Sequence, residues 1–270
     1  MEKNIGYLED KAKEIRKVIV EMIYKAKSGH IGGSLSSVDI LVTLYYRILR
    51  VDPKRPDWPD RDRFILSKGH SVEGYYAILA DLGFIDKKEL ETYCKFNSRL
   101  TGHPTVKVPG VEANTGSLGH GLSIGVGMAL AGKMDKRNYK VYVLMGDGEQ
   151  AEGSVWEAGM SASHYKLDNL IGIVDRNRLQ IGGPTESVMS LEGLSDKWRA
   201  FGWEVVEVDG HNIMGLIDVL ENTPITPNKP TLIIAHTIKG KGISFIENRA
   251  EWHHKVPTDE EYIRMMEELN

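Results

Sequence analysis

The sequence predicts an α/β protein, a mostly parallel sheet covered by helices on both faces in three α/β/α layers. Strand-length apolar runs alternate along the chain with longer stretches of helical periodicity. Two of those runs, residues 141–145 and 170–174, are apolar at nearly every position, as strands buried on both faces are. The segment between them, 152–165, reads as one helix, so this part of the chain is a strand–helix–strand unit.

The other elements follow in order. Residues 7–27 read as a helix with Ile15, Val18, Ile19, Met22 and Ile23 on one face. A second helix is predicted over 36–49, then a Pro- and Asp-rich loop over 52–62 and a strand over 63–66. Helices at 72–82, 87–95 and 119–133 precede the central unit. After it come a helix over 191–201, a strand over 204–208 and a helix over 213–221 that Asn212 is placed to cap. A loop carrying Pro224, Pro227 and Pro230 leads into a last strand, 231–236. A single domain over residues 1–270 is the simplest organisation.

Composition narrows the class. With 41% hydrophobic and 27% charged residues the chain can bury a sizeable core, and its net charge of −4 gives no sign of nucleic-acid binding. The lone cysteine, Cys94, cannot form an internal disulfide and fits a reducing compartment. It reads as a small residue on a half-buried helix. Charged residues from Glu2 to Lys11 argue against a signal peptide, and no apolar run approaches the roughly 20 residues that span a bilayer. A cytoplasmic protein is expected.

Polar clusters follow both central strands. Gly146-Asp147-Gly148-Glu149 comes after the first, and Asp175-Arg176-Asn177 after the second, about thirty residues on. The ends of parallel strands are where open α/β sheets bind ligands. An Asp oxygen, an Asn carbonyl and a nearby backbone carbonyl are hard donors suited to Mg²⁺ held together with phosphate oxygens. The nine histidines include no HExxH and no Cys/His pattern, which makes zinc an unsuitable metal here. His30, His70 and His103 each adjoin a glycine in a predicted loop, a setting that suits side chains aimed at a ligand.

The glycines after Thr115 do not match a dinucleotide fingerprint, since the GxGxxG spacing and its preceding strand are missing. Gly121, Gly125, Ala129 and Gly132 instead share one helical face, which would let another backbone approach closely, as at a subunit contact. The helix start near Leu118 and Gly119 can offer free N–H groups to phosphate.

The GDG opening with its terminal Asn resembles the thiamin diphosphate motif. Further segments resemble the transketolases, in family order: Ser28-Gly29-His30-Ile31-Gly32-Gly33-Ser34, Ser67-Lys68-Gly69-His70, Gly102-His103-Pro104, Thr115-Gly116-Ser117-Leu118-Gly119 and Trp252-His253-His254-Lys255-Val256-Pro257. The resemblance implies a thiamin diphosphate-binding fold. It implies cofactor contacts from His70, Gly116, Ser117, Leu118, Gly146, Asp147, Gly148, Glu149 and Asn177. It implies a metal bound by Asp147, Asn177 and the Leu179 carbonyl, Mg²⁺ with Ca²⁺ or Mn²⁺ as substitutes. His30 and His253 would move protons near the reacting carbonyl and hydroxyl, His103 would bind the ketose end, and His70 would contact diphosphate and substrate. Glu152 would help order a partner's catalytic glutamate, with Glu157 close to the same contact.

The same resemblance implies a partner. A transketolase continues through a pyrimidine-binding domain and a C-terminal domain, so this chain is expected to be the N-terminal subunit of a split enzyme. It would transfer a two-carbon ketol unit between sugar phosphates, in an α2β2 assembly with a separate C-terminal subunit. The alternatives are another thiamin diphosphate enzyme, of the 2-oxoacid dehydrogenase or deoxyxylulose-phosphate synthase type, and a non-catalytic cofactor-binding subunit. His120 and His254 depart from the family's usual glutamine and glycine. His164, His211 and His236 read as ordinary helix-end, turn and strand-end residues, and Lys239 and Lys241 as either phosphate-attracting or solvated.

Overall fold

The computed structural model describes residues 4–270. Five strands, β1 (Arg63–Leu66), β2 (Val141–Gly146), β3 (Leu170–Arg176), β6 (Glu204–Asp209) and β7 (Thr231–His236), form one sheet in the order β1-β2-β3-β7-β6. Every neighbouring pair is parallel. A two-stranded antiparallel ribbon, β4 (Leu179–Gln180) with β5 (Gly183–Pro184), stands apart just after β3.

Side chains alternate across the sheet and feed two cores. Tyr142, Leu144, Ile171 and Ile173 face a core shared with α1 (Ile5–Ala26), α3 (Val38–Thr43), α4 (Val72–Leu82), α9 (Ile213–Glu221) and α10 (Asp259–Glu268). Val141, Val143, Met145 and Val174 face the other, with α5 (Gly121–Met134), α6 (Gly153–His164) and α8 (Leu194–Ala200). The predicted three layers are therefore present. Short α2 (Ile31–Ser36) and α7 (Thr185–Val188) flank the C-terminal ends of the strands.

Several elements differ from expectation for identifiable reasons. The helix expected over 36–49 begins earlier, at Ile31, and breaks into α2, α3 and a π-turn at Leu44–Ile48. Ser36 and Ser37 both donate to the Gly33 carbonyl, and such back-bonding competes with a regular helix. The helix expected over 87–95 is a 3₁₀ segment, Lys87–Thr92, capped by Asp86. Cys94 is exposed at positive φ in the turn beyond it, not on a half-buried helix. β3 runs two residues further than its apolar run, so Asp175 and Arg176 lie inside the sheet, 0% and 1% exposed, and only Asn177 follows it. α10, closed by a Thr258–Glu261 capping box, was signalled by the T-x-x-E pattern but not expected.

The small-residue stripe on α5 turns inward, against the expectation of a subunit contact. A Cβ on Gly121 would lie 2.3 Å from Ser67 Oγ, on Gly125 2.6 Å from Val143, and on Gly132 2.8 Å from the Tyr139 ring. The stripe thus seats α5 on β1 and β2. Gly127, on the opposite face, is exposed with nothing within 4 Å of a would-be Cβ. Gly125→Ala is expected to destabilise the chain by about 1–3 kcal/mol through overpacking. Gly127→Ala should stabilise it by roughly 0.5–1 kcal/mol through helix propensity. Chemical denaturation of both variants checks the opposed signs.

Candidate active site

The chain leaving the C-terminal ends of β1, β2, β3 and β7 converges with α2 on one pocket of about 370 Å³. Its wall includes Lys68 and His70 after β1, Asp147 after β2, Asn177 and Leu179 after β3, Lys239 after β7, and Gly33 of α2. Gly116, Leu118 and His253 complete it from more distant segments.

At its acidic end, Asp147 Oδ1 accepts the Gly148 N–H at 2.8 Å, and Oδ2 accepts the Arg178 N–H at 2.5 Å and Arg176 Nη1 at 3.2 Å. Burial first, then the nearby Asp175 charge, pushes the Asp147 carboxyl up. Asn177 Nδ2 faces Asp175 Oδ2 at 3.3 Å, which orients its Oδ1 toward the Leu179 N–H at 3.1 Å. Arg176, fully buried, ties Asp147 to Thr185, Glu186 and Glu192, holding the β4–β5 ribbon and its following segment beside Asp147. Among the described residues no three His, Cys, Asp or Glu side chains are grouped to hold a metal. A cation here would depend on Asp147 with amide and backbone oxygens.

The opposite wall is cationic. Lys68 Nζ pairs with Asp175 and donates to the Gly33 carbonyl at 2.9 Å. Lys239, 2% exposed, meets the Leu179 carbonyl at 3.4 Å and His253 Nδ1 at 3.1 Å, but no carboxylate among the described residues. Burial, then the Lys68 charge, lowers its ammonium to about 8. The sequence left Lys239 undecided; the structure puts it in the pocket, while Lys241 faces Glu247 at 3.8 Å nearer the surface. No acceptor among the described residues takes the N–H of Gly116, Ser117 or Leu118. A buried cation lacking a counter-ion and a run of free amides fit a phosphate-bearing anion.

The histidines gather beside this wall. The His30 ring centroid lies 5.3 Å from His70, 6.2 Å from His103, 5.6 Å from His253 and 4.5 Å from His254. His70 and His253 stack at 5.1 Å. Glu73 sets the His30 loop: its carboxylate accepts the His30 N–H at 2.8 Å and the Ser34 hydroxyl at 2.6 Å. Gly116, at φ 141°, leaves room for His103, whose ring a Cβ there would meet at 2.9 Å. Lys239 donates to His253 Nδ1, which leaves the ring proton on Nε2. His30 Nδ1 is buried with no partner.

Other predicted site residues fall outside this group. Glu152 is exposed at the start of α6, its carboxylate without a hydrogen bond, beside Gly119 and away from the imidazoles. Glu157 and Ser117 are exposed. Glu149 borders the pocket, but its oxygens accept from Ser67, Gly119 and Gly146. His236 pairs with Glu207 at the surface, and His120 contacts the Leu118 carbonyl. His211 is a tertiary link: the Ile238 N–H donates to its Nε2, so its Nδ1–H donates to buried Asp39 at 2.6 Å. Glu73 was missed, and Asp175 was read as following its strand and not inside it, because a strand- or helix-embedded carboxylate has no local signature.

Burial holds the imidazoles of His30, His70 and His253 neutral. It lowers His30 to about 4, with His254, His103 and Lys239 adding to the effect, and His253 to about 3, with Lys239 adding most. His70 is also held well below its ordinary value by burial and then Lys68. Between the unfolded value of 6.5 and these folded values, only the unfolded chain takes up the protons. Stability is therefore expected to fall as pH drops from about 6.5 towards 4, and His253→Asn should flatten the fall. Thermal unfolding of both proteins across that range is the measurement.

Residues 8–269 match the family described as "Transketolase, thiamine diphosphate binding domain". An apulose-4-phosphate transketolase subunit of Phocaeicola vulgatus is 54% identical over 97% of this chain and 94% of that one. The 6-deoxy-6-sulfo-D-fructose transketolase subunit SqwG of Clostridium sp. is 43% identical over 97% of this chain and 96% of that one. The crystal structure of transketolase from Campylobacter jejuni superposes with a TM-score of 0.93 at 34% identity, covering 98% of this chain and 43% of that longer one. A chain matched this far in sequence and fold belongs to the transketolase family, as its thiamin diphosphate-binding part.

Proposed function

We propose that this chain is the N-terminal subunit of a two-chain transketolase, one thiamin diphosphate-binding domain over residues 1–270. It would work in the cytoplasm with a separate subunit that carries the pyrimidine-binding and C-terminal domains, in an α2β2 complex. The observation that carries the reading is one pocket that joins Asp147, Asn177 and Lys239 to His70 and His253, whose rings lie 5.3 and 5.6 Å from that of His30. Relatives that are themselves named as transketolase subunits, and that match this chain along nearly their whole length, support the two-chain form.

In this reading Asp147, Asn177 Oδ1 and the Leu179 carbonyl hold Mg²⁺. The amides of Gly116, Ser117 and Leu118, with His70, Lys68 and Lys239, hold the diphosphate between them. Gly146 and Gly148 keep the turn at Asp147 close to it. Thiamin diphosphate, when bound, would supply the nucleophilic carbon that two-carbon ketol transfer requires. His103 binds the ketose end, and His30 and His253, neutral near pH 7, exchange protons with the sugar's carbonyl and hydroxyl oxygens. Glu152, exposed beside the 116–119 loop, faces the partner. The substrates are ketose and aldose phosphates or close analogues. Relatives named for apulose 4-phosphate and a sulfofructose point beyond ordinary pentose phosphates.

Co-purification of the tagged chain with its second subunit, followed by ketol-transfer assay with apulose 4-phosphate and other ketose phosphates, tests the reading. Turnover is expected from the complex with Mg²⁺ and thiamin diphosphate, and none from the isolated chain. His253→Asn should lower kcat by roughly 10²–10⁴. Turnover by the chain alone, or a complex that binds no thiamin diphosphate, would sink the proposal.

A further inference from the structure

We propose that Glu149 is a positioning residue that locks the phosphate-binding loop to the metal-binding turn, and does not itself touch the cofactor. The inference rests on the reading of the pocket as a thiamin diphosphate and Mg²⁺ site. Glu149 is 2% exposed. Its Oε1 accepts the Ser67 hydroxyl and, at 2.8 Å, the Gly119 N–H, while Oε2 accepts the Gly146 N–H at 3.0 Å. One carboxylate therefore joins the end of β1, the loop of free amides that borders the pocket at Gly116 and Leu118, and the turn that presents Asp147.

The loop is gripped from its other side as well. Ser154 Oγ donates to the Gly119 carbonyl at 3.0 Å, and a Cβ on Gly119 would lie 2.6 Å from Glu152 Cβ. Gly119 sits at φ 83°, a conformation glycine adopts without strain. Both polar groups of the Gly119 backbone are thus fixed by residues of the 149–154 segment. The amides at 116–118 are left no such partners, and the spacing between them and Asp147 is set by Glu149. Three donors converging on one carboxylate leave it little capacity for a ligand. A diphosphate would also repel it.

Glu149→Gln separates positioning from contact. A glutamine keeps one acceptor oxygen but turns an NH2 group toward either Gly146 or Gly119, where a donor then faces a donor. The apparent Kd of the co-purified two-chain complex for thiamin diphosphate at saturating Mg²⁺ is read by calorimetry. It is expected to rise on the order of tenfold, about 1.4 kcal/mol, with kcat at saturating cofactor within about twofold of the parent's. A Kd unchanged within about twofold, with only a lowered melting temperature, would show a purely structural residue and overturn the inference. An unchanged Kd with kcat lost would overturn it too. Should Glu149→Gln fail to fold, Ser67→Ala removes one donor and is expected to raise Kd roughly two- to fivefold; no change there counts against the inference. A parent complex that binds no thiamin diphosphate refutes the cofactor reading and takes this inference with it.

Discussion

The carboxylate of Asp175, wholly buried at the C-terminal end of the middle strand β3, is the constraint around which the pocket is built. Burial alone would raise it, but the Lys68 ammonium and the Ser36 and Thr237 hydroxyls bring it below its ordinary value. Those partners come from the segment after β1, from α2 and from the segment after β7. Asn177 reaches the same oxygen that Lys68 and Ser36 share. Losing one partner of such a buried pair costs about 3–5 kcal/mol, because the remaining charge has no water to turn to. One side chain thereby ties together the segments that carry Lys68 and His70, His30, and Lys239.

Charge in the pocket is arranged in opposition. Lys68 is neutralised by Asp175, yet Lys239 contacts no carboxylate among the described residues, and His30, His70 and His253 are kept neutral. An anion next to Lys239 would offset the field that, after burial, most depresses His253. The protonation of these rings is in this sense coupled to occupancy of the phosphate end. Arg176 acts from outside the pocket, bonding the Asp147 carboxylate and the segment beyond β3, and Glu149 acts from its wall, accepting the Gly119 N–H. The site is thus cross-linked around Asp147 and Gly119 and open at its imidazole side, where His254 and His103 are exposed.

Much of this was legible in the sequence, because its local signals and its tertiary contacts agree. The apolar runs at 141–145 and 170–174 became strands buried on both faces, and Asn212 caps α9 through the Gly215 N–H. The rings of His70 and His103, each beside a glycine as His30 is, lie 5.3 and 6.2 Å from the His30 centroid. The signals failed where side chains act against their neighbourhood. Serines at 36 and 37 break a helix whose apolar pattern continues, and a glycine stripe that reads as an outer contact seats α5 on the sheet instead.

The sequence by itself determined the layer order, the strands and the types of residue gathered after them, since periodicity and turn chemistry are local properties of the chain. Only the tertiary structure decided that Asp175 and Arg176 lie inside the sheet and that Lys239 faces the pocket without a counter-ion. It also decided that His211 holds Asp39 while His253 stands beside His30. Whether a polar side chain is a ligand, a strut or a surface group depends on which distant donors and acceptors surround it and how much water they exclude. Residues 149 and 119, or 175 and 68, acquire those surroundings only when the parallel strands bring their ends together.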